Sequence, residues 1–244
     1  VLRQARAAAP LLPLRMFRSR NVSGADLIQI LMVSALFGFQ ILIALYLQNV
    51  RGYGALGTGL AMLPAAGTIA AVSLLLSARL IARLGERLVL LTGLSSLVVA
   101  LLLLTRLPVH ARYPVDLLPT MLLAGGFGLA IAAVTALGMS GARPDDAGVA
   151  SGLFSTAQQV GGALGVAVLS TLATARATGL AAHGHDRASA LTGGFHLAFG
   201  VGAGLLAVAF LLALTVLRQP RLRTAAPAEG PGDVPAATAT APTH

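Results

Sequence analysis

The chain has 244 residues, 56% of them hydrophobic and only 10% charged, with a mean hydropathy of +0.83. A soluble domain carries roughly 25% charged residues to cover its water-facing surface, so this composition excludes an ordinary soluble globule. The formal net charge of +9 does not point to nucleic acid, because all 17 basic residues are Arg and they fall between apolar runs, not along one polar face.

Residues 1–26 read as a basic linker carrying Arg3, Arg6, Arg15, Arg18 and Arg20, with no cleavable signal peptide evident. Six apolar runs follow, at 27–47, 55–78, 88–105, 117–139, 149–173 and 193–217, with no Asp, Glu or Arg inside them. A bilayer crossing takes about 20 mostly apolar residues. Continuous apolarity selects helices, since membrane strands alternate over about 10 residues. The expected fold is therefore an all-α polytopic membrane protein, a bundle of six transmembrane helices over 27–217. Residues 218–244 are rich in Ala, Pro and Thr and read as a disordered tail.

The first run carries Gln29 and Gln40. Eleven residues make three turns plus about 20°, which puts both on one helix face, flanked by Phe37 and Ala44. That face reads as the wall of a substrate cavity or as a line of interhelical hydrogen bonds. Pro64 removes a backbone donor inside the second run and predicts a kink. In the fifth run Gly148, Gly152, Ser155, Gln159 and Gly162 recur at spacings of 4, 3, 4 and 3 and draw one helix-packing seam, with Gly161 and Gly165 as a small-xxx-small pair beside it. Gln158 and Gln159 are further cavity candidates or packing residues. The loop 174–192 contains His183, His185 and Asp186 and reads as solvated, not as a metal site. Without Cys, the chain has no disulfide, no thiolate zinc site and no thiol nucleophile, and no cofactor is expected.

Arginines set the orientation. The N-terminal segment, Arg79, Arg83, Arg87, Arg143, Arg218, Arg221 and Arg223 put twelve on one side, against Arg51, Arg106, Arg112, Arg176 and Arg187 on the other. The positive-inside rule then places both termini in the cytoplasm of a multi-pass plasma-membrane protein. No acid falls at mid-depth: Asp26 and Asp116 stand at span ends, while Glu86, Asp145 and Asp146 lie in loops. The reading therefore finds no intramembrane carboxylate for proton coupling.

Several stretches resemble the C-terminal half of a fourteen-span drug:proton antiporter of the major facilitator superfamily (EmrB/QacA type). They are PLLPLRMFRSR at 10–20, with Pro13 where an Asp is common, YLQNVRGYGALGTGLAMLP at 46–64, and GVASGLFSTAQQVGGALGVAVLST at 148–171. The loop ARLIARLGERL at 78–88 is similar to a degraded copy of the superfamily's cytoplasmic loop motif; Arg83, Gly85 and Arg87 match, while Ala78 and Ala82 replace its Gly and Asp. The resemblance implies multidrug efflux of small amphipathic substrates in exchange for protons. It also implies alternating access between two six-helix bundles, with the N-terminal half and its coupling carboxylates upstream of Val1.

Two other readings are open. One is an inactive fragment or a non-transporting membrane module. The other is an intramembrane serine protease, because Gly138-Met139-Ser140-Gly141 and His196 with Gly200 and Gly204 resemble rhomboid motifs. Ser140 and His196 fall at opposite membrane faces, whereas a nucleophile and its base lie about 3 Å apart, so an enzyme is not expected. An ATP-driven pump subunit is unsupported, since the sequence has no phosphate-binding Gly-Lys-Ser/Thr loop and no Lys.

Overall fold

The computed structural model describes residues 20–140 and 147–216. The expected tail at 218–244, the arginines before Arg20 and residues Arg143, Asp145 and Asp146 lie outside the described residues. Within these limits all regular structure is helical. Six helices are present: α1 (Arg20–Asn49), α2 (Ala55–Leu84), α3 (Glu86–Leu104), α4 (Tyr113–Ser140), α5 (Ala147–Ala182) and α6 (Arg187–Thr215). Each is long and apolar enough to cross a bilayer.

The helices extend beyond several apolar runs, because a run marks where lipid is tolerated and not where helical hydrogen bonding stops. The expected loop at 174–192 is the main case. Residues 174–182 contain Arg176 but are otherwise rich in Ala, the strongest helix former, so α5 continues to Ala182 and the connection shrinks to 183–186. Gly184 turns the chain there with φ +87°, a backbone conformation that a side chain strains. Asp186 then caps α6, its carboxylate accepting from the Ser189 N–H at 3.1 Å.

The Ser189 hydroxyl and backbone N–H hold the Asp186 carboxyl below the usual carboxylate range. A depressed folded-state pKa adds stability above the unfolded value, and that stability is lost as pH falls through the folded one. Asp186→Ala is therefore expected to melt at a lower temperature than wild type at neutral pH. The gap should close on acidification below about 4; melts of both chains across pH check this.

Helix α1 is the hub. It packs chiefly on α5 and α6, while α4 packs chiefly on α3 and α2, and α3 and α6 pack together. The lead helix of each three-helix unit is thus held by the second and third helices of the other unit. The arrangement has the form of a repeated unit packed against its counterpart.

Association in lipid depends on close van der Waals approach, since lipid tails are as apolar as side chains. A Cβ on Gly93 would sit 2.6 Å from the Gly126 carbonyl oxygen, so α3 and α4 touch backbone to backbone. Near that contact α4 breaks at Ala124–Gly125, and the Ser96 hydroxyl donates to the Leu123 carbonyl at 2.9 Å.

Helix α2 lies at the edge, with Leu56, Leu60, Leu63, Leu74 and Leu75 all exposed. It continues through Pro64, and its irregularity falls later, in a π-helical turn at Val72–Leu76. That turn adjoins α4, where a Cβ on Gly128 would meet the Ile69 carbonyl oxygen at 2.5 Å. The Tyr113 hydroxyl, donating to the Ala61 carbonyl at 2.7 Å, ties the two helices further along.

Candidate functional site

One end of the bundle carries the start of α1 and the α2–α3 and α4–α5 connections; the opposite end carries the other three. Between them, α1 and α5 run side by side in parallel. Ile30 faces Gly161 and Ser34 faces Gly165, so both partners advance together. The Ser34 hydroxyl donates to the Gly161 carbonyl at 2.7 Å and fixes this register.

The cavity candidates divide along this contact. Gln29 is only 2% exposed, and its side-chain amide donates to the Phe154 carbonyl at 3.3 Å, so it is not on an open face. Phe37 is 40% exposed and Gln40 is also exposed. Helical phase alone would align Gln29 with Gln40. The start of α5 covers the first and leaves the second open.

Gly162 packs against the Phe37 ring, 3.5 Å from where its Cβ would lie. Gln159 and Gln158 stand one turn before Gly162, and both are exposed. Phe37, Gln40, Gln158 and Gln159 therefore share one open flank of the α1–α5 pair. The side-chain amides of the three glutamines have no hydrogen-bond partner among the described residues. An aromatic ring beside unpaired amides on apolar helices can hold an amphipathic molecule by stacking and hydrogen bonding.

The expected packing seam is corrected in part. Gly148 and Gly152 have nothing within 4 Å of a Cβ, and Ser155 is exposed, so this stretch packs on no described helix. The tight contact with α1 runs instead through Gly161 and Gly165, and farther along the helix Ala173 meets Gly194 of α6. Of the line spaced 4, 3, 4, 3, Gly162 meets the Phe37 ring of α1, whereas the closest approach belongs to the neighbouring pair Gly161 and Gly165.

In the loop motif, Gly85 is the whole connection between α2 and α3. Its φ of +82° and ψ of 155° turn the chain, and its N–H donates to the Ile81 carbonyl at 2.9 Å. Arg83 is exposed. Arg87 reaches across to α6 and donates to the Leu214 carbonyl, satisfying an acceptor in its last turns. Arg87 thus has a capping role that the spacing of the motif did not reveal.

Two further features were not read from sequence. An open cleft of about 470 Å³ lies between α1, α5 and α6 at the opposite end, with Asn49, Thr174, Thr178 and Arg187 among its polar lining. At the end carrying the start of α1, Asp26 is buried and, among the described residues, neither carboxylate oxygen has a hydrogen-bond partner; the Gln29 side-chain oxygen is likewise unpaired there. An Asp just ahead of an apolar run looks like a helix start. Here α1 begins at Arg20, which carries Asp26 into the second turn and into the packed interior.

The protease arrangement does not form. The Ser140 hydroxyl donates to the Leu137 carbonyl at one end of the bundle. At the other end the His196 ring nitrogen Nε2 donates to the Leu107 carbonyl at 2.7 Å, beside the Tyr46 hydroxyl, which donates to the Pro108 carbonyl at 2.7 Å. His196 and Tyr46 anchor the α3–α4 connection.

Six apolar helices, each long enough to span a bilayer, define a multi-pass membrane protein. The profile of the Major Facilitator Superfamily matches residues 2–166, and the chain belongs to that family. It is 37% identical over 211 residues to the puromycin resistance protein pur8 of Streptomyces alboniger, covering 82% of this chain and 42% of that protein. It is 34% identical over 175 residues to the tetracenomycin C resistance and export protein of Streptomyces glaucescens, covering 72% and 32%. It is 32% identical over 170 residues to the multidrug resistance protein Stp of Mycobacterium tuberculosis, covering 70% and 31%. The chain thus spans well under half the length of these relatives. They are transporters of drug resistance and export, and no enzyme is among them.

Proposed function

We propose that this chain is the C-terminal six-helix half of a fourteen-span drug:proton antiporter of the EmrB/QacA type. With an N-terminal half it exports small amphipathic drug-like molecules, cationic or neutral, across the plasma membrane in exchange for protons. The observation that carries the reading is the partial coverage, 82% of this chain against 42% of a puromycin resistance protein. The twelve-to-five distribution of arginines supports cytoplasmic termini.

The open flank formed by Phe37, Gln40, Gln158 and Gln159 is the proposed substrate wall, and the bare glycines Gly148 and Gly152 a proposed seat for the other half. Small residues permit close helix approach in lipid, and these have no partner among the described residues. Alternating access then consists of the two bundles rocking about the substrate.

The test is drug efflux in a sensitive bacterial host, with this chain alone and with a matching N-terminal half. Efflux only on co-expression is expected. Efflux from the chain alone would replace the half-transporter reading with a self-sufficient oligomer, and silence in both despite membrane insertion would favour an inactive module.

A further inference from the structure

Three acceptor oxygens in the second turn of α1 and the turn after it lie buried with no donor among the described residues. Asp26 is 8% exposed, with Oδ1 and Oδ2 unpartnered; Gln29 is 2% exposed, with Oε1 unpartnered. Residues three apart in a helix are neighbours on its surface. The Gln29 amide nitrogen donates to the Phe154 carbonyl, which turns Oε1 away from that bond, and the amide makes no bond to Asp26.

Among the described side chains none forms an ion pair or hydrogen bond with Asp26, and the only other charged residue of α1 is Arg20 at its start. The last turn of α4 reads Leu137-Gly138-Met139-Ser140, and a Cβ on Gly138 would touch Ala25 at 3.3 Å and the Phe154 ring at 2.7 Å. The described start of α5, residues 147–160, contains no titratable side chain. At the same end α2 carries Arg79 and Arg83, and α3 carries Glu86 and Arg87, the last bonded to Leu214. The facing turns of α6, residues 206–215, carry no charge. No donor of any of these elements reaches the Asp26 carboxylate. The connection 141–146 carries Arg143, Asp145 and Asp146 in the sequence.

An ionised carboxylate removed from water without a donor or a cation costs several kcal/mol, and the positive helix terminus acts only over the first turn. A single proton removes the charge and satisfies two of the three oxygens, leaving a neutral carbonyl oxygen as the third. It neutralises the carboxyl and supplies the one hydrogen-bond donor that Gln29 Oε1 lacks. We propose that Asp26 and Gln29 form a proton-binding site, in which Asp26 is held as the carboxylic acid and donates its O–H to Gln29 Oε1. The site rests on burial and membrane placement, independently of what the protein exports.

The experiment is a difference infrared spectrum at neutral pH of the full chain in lipid nanodiscs, wild type minus Asp26→Asn. The Asn variant keeps the shape and donates to Gln29 Oε1 as the acid would. A carboxylic C=O band is expected in the wild type and is lost in the variant. Carboxylate stretches in its place would overturn the proposal. If those stretches became an acid band in Arg143→Gln, the group would be one half of an ion pair with the connection, which also overturns it.

Should Asp26→Asn fail to insert, dicyclohexylcarbodiimide on the wild-type chain reads the same group, because this reagent attacks protonated carboxyls in apolar surroundings. An adduct mapped to the Asp26 peptide at neutral pH is expected, and an unmodified Asp26 would refute the site. Neither readout requires transport, so their failure and that of the efflux reading are separable.

Discussion

Gly165→Leu is expected to yield no monodisperse protein from membranes, and Gly165→Ala to lower the midpoint of thermal unfolding, while Gly152→Ala leaves it unchanged. A Cβ on Gly165 would fall inside the backbone of Ser34, 2.6 Å from its carbonyl carbon and closer still to its oxygen and Cα. No side chain can swing away to make room; two helix backbones must part. Overpacking of this kind costs about 1–3 kcal/mol for a small group and more for a large one.

The consequence spreads, because α1 is also the helix on which α6 and α4 pack. Parting α1 from α5 also stretches the bond between the Ser34 hydroxyl and the Gly161 carbonyl. Gly152 is the control on the same helix, with nothing within 4 Å of a Cβ. Size-exclusion profiles of Gly165→Leu, and melts of purified Gly165→Ala and Gly152→Ala beside wild type, decide the point. A Gly165→Ala melt indistinguishable from wild type would mean that α1 and α5 do not approach this closely.

The bundle was legible because lipid imposes one demand on every residue of a span. Runs such as 55–78 and 117–139 can be read without knowing any neighbour. The site was legible only in part, because position on a helix face does not say which stretch of that face a neighbour covers. Gln29 and Gln40 share a phase, yet α5 crosses over one and not the other. In the fifth run, two adjacent lines of small residues were visible, and nothing local tells which line meets α1.

Asp26 shows the same limit at a span end. Charge near the edge of an apolar run reads as solvated, and only the start of α1 at Arg20 together with the covering α4 and α5 turns makes it buried. Local rules fix depth; burial belongs to the assembled bundle.

Gly85→Ala should cost about 1–3 kcal/mol of stability, the typical strain of a side chain in a glycine-only region of backbone space. With φ +82° and ψ 155°, this residue ends α2 and begins α3 with no other residue between Leu84 and Glu86. A longer loop could spread the strain over several torsions, but a one-residue connection has none to share. The Gly85 N–H closes the last turn of α2 on Ile81, and Val89 in turn bonds back to the Gly85 carbonyl at 3.3 Å. Distorting the turn would therefore loosen both helices and shift Arg87 away from the Leu214 carbonyl that it caps. The expected result is a lower melting temperature for Gly85→Ala, with Arg83→Ala, an exposed position in the same motif, close to wild type. If Arg83→Ala were the more damaging of the two in a melt of the purified chain, the motif would act through its charge and not through its turn.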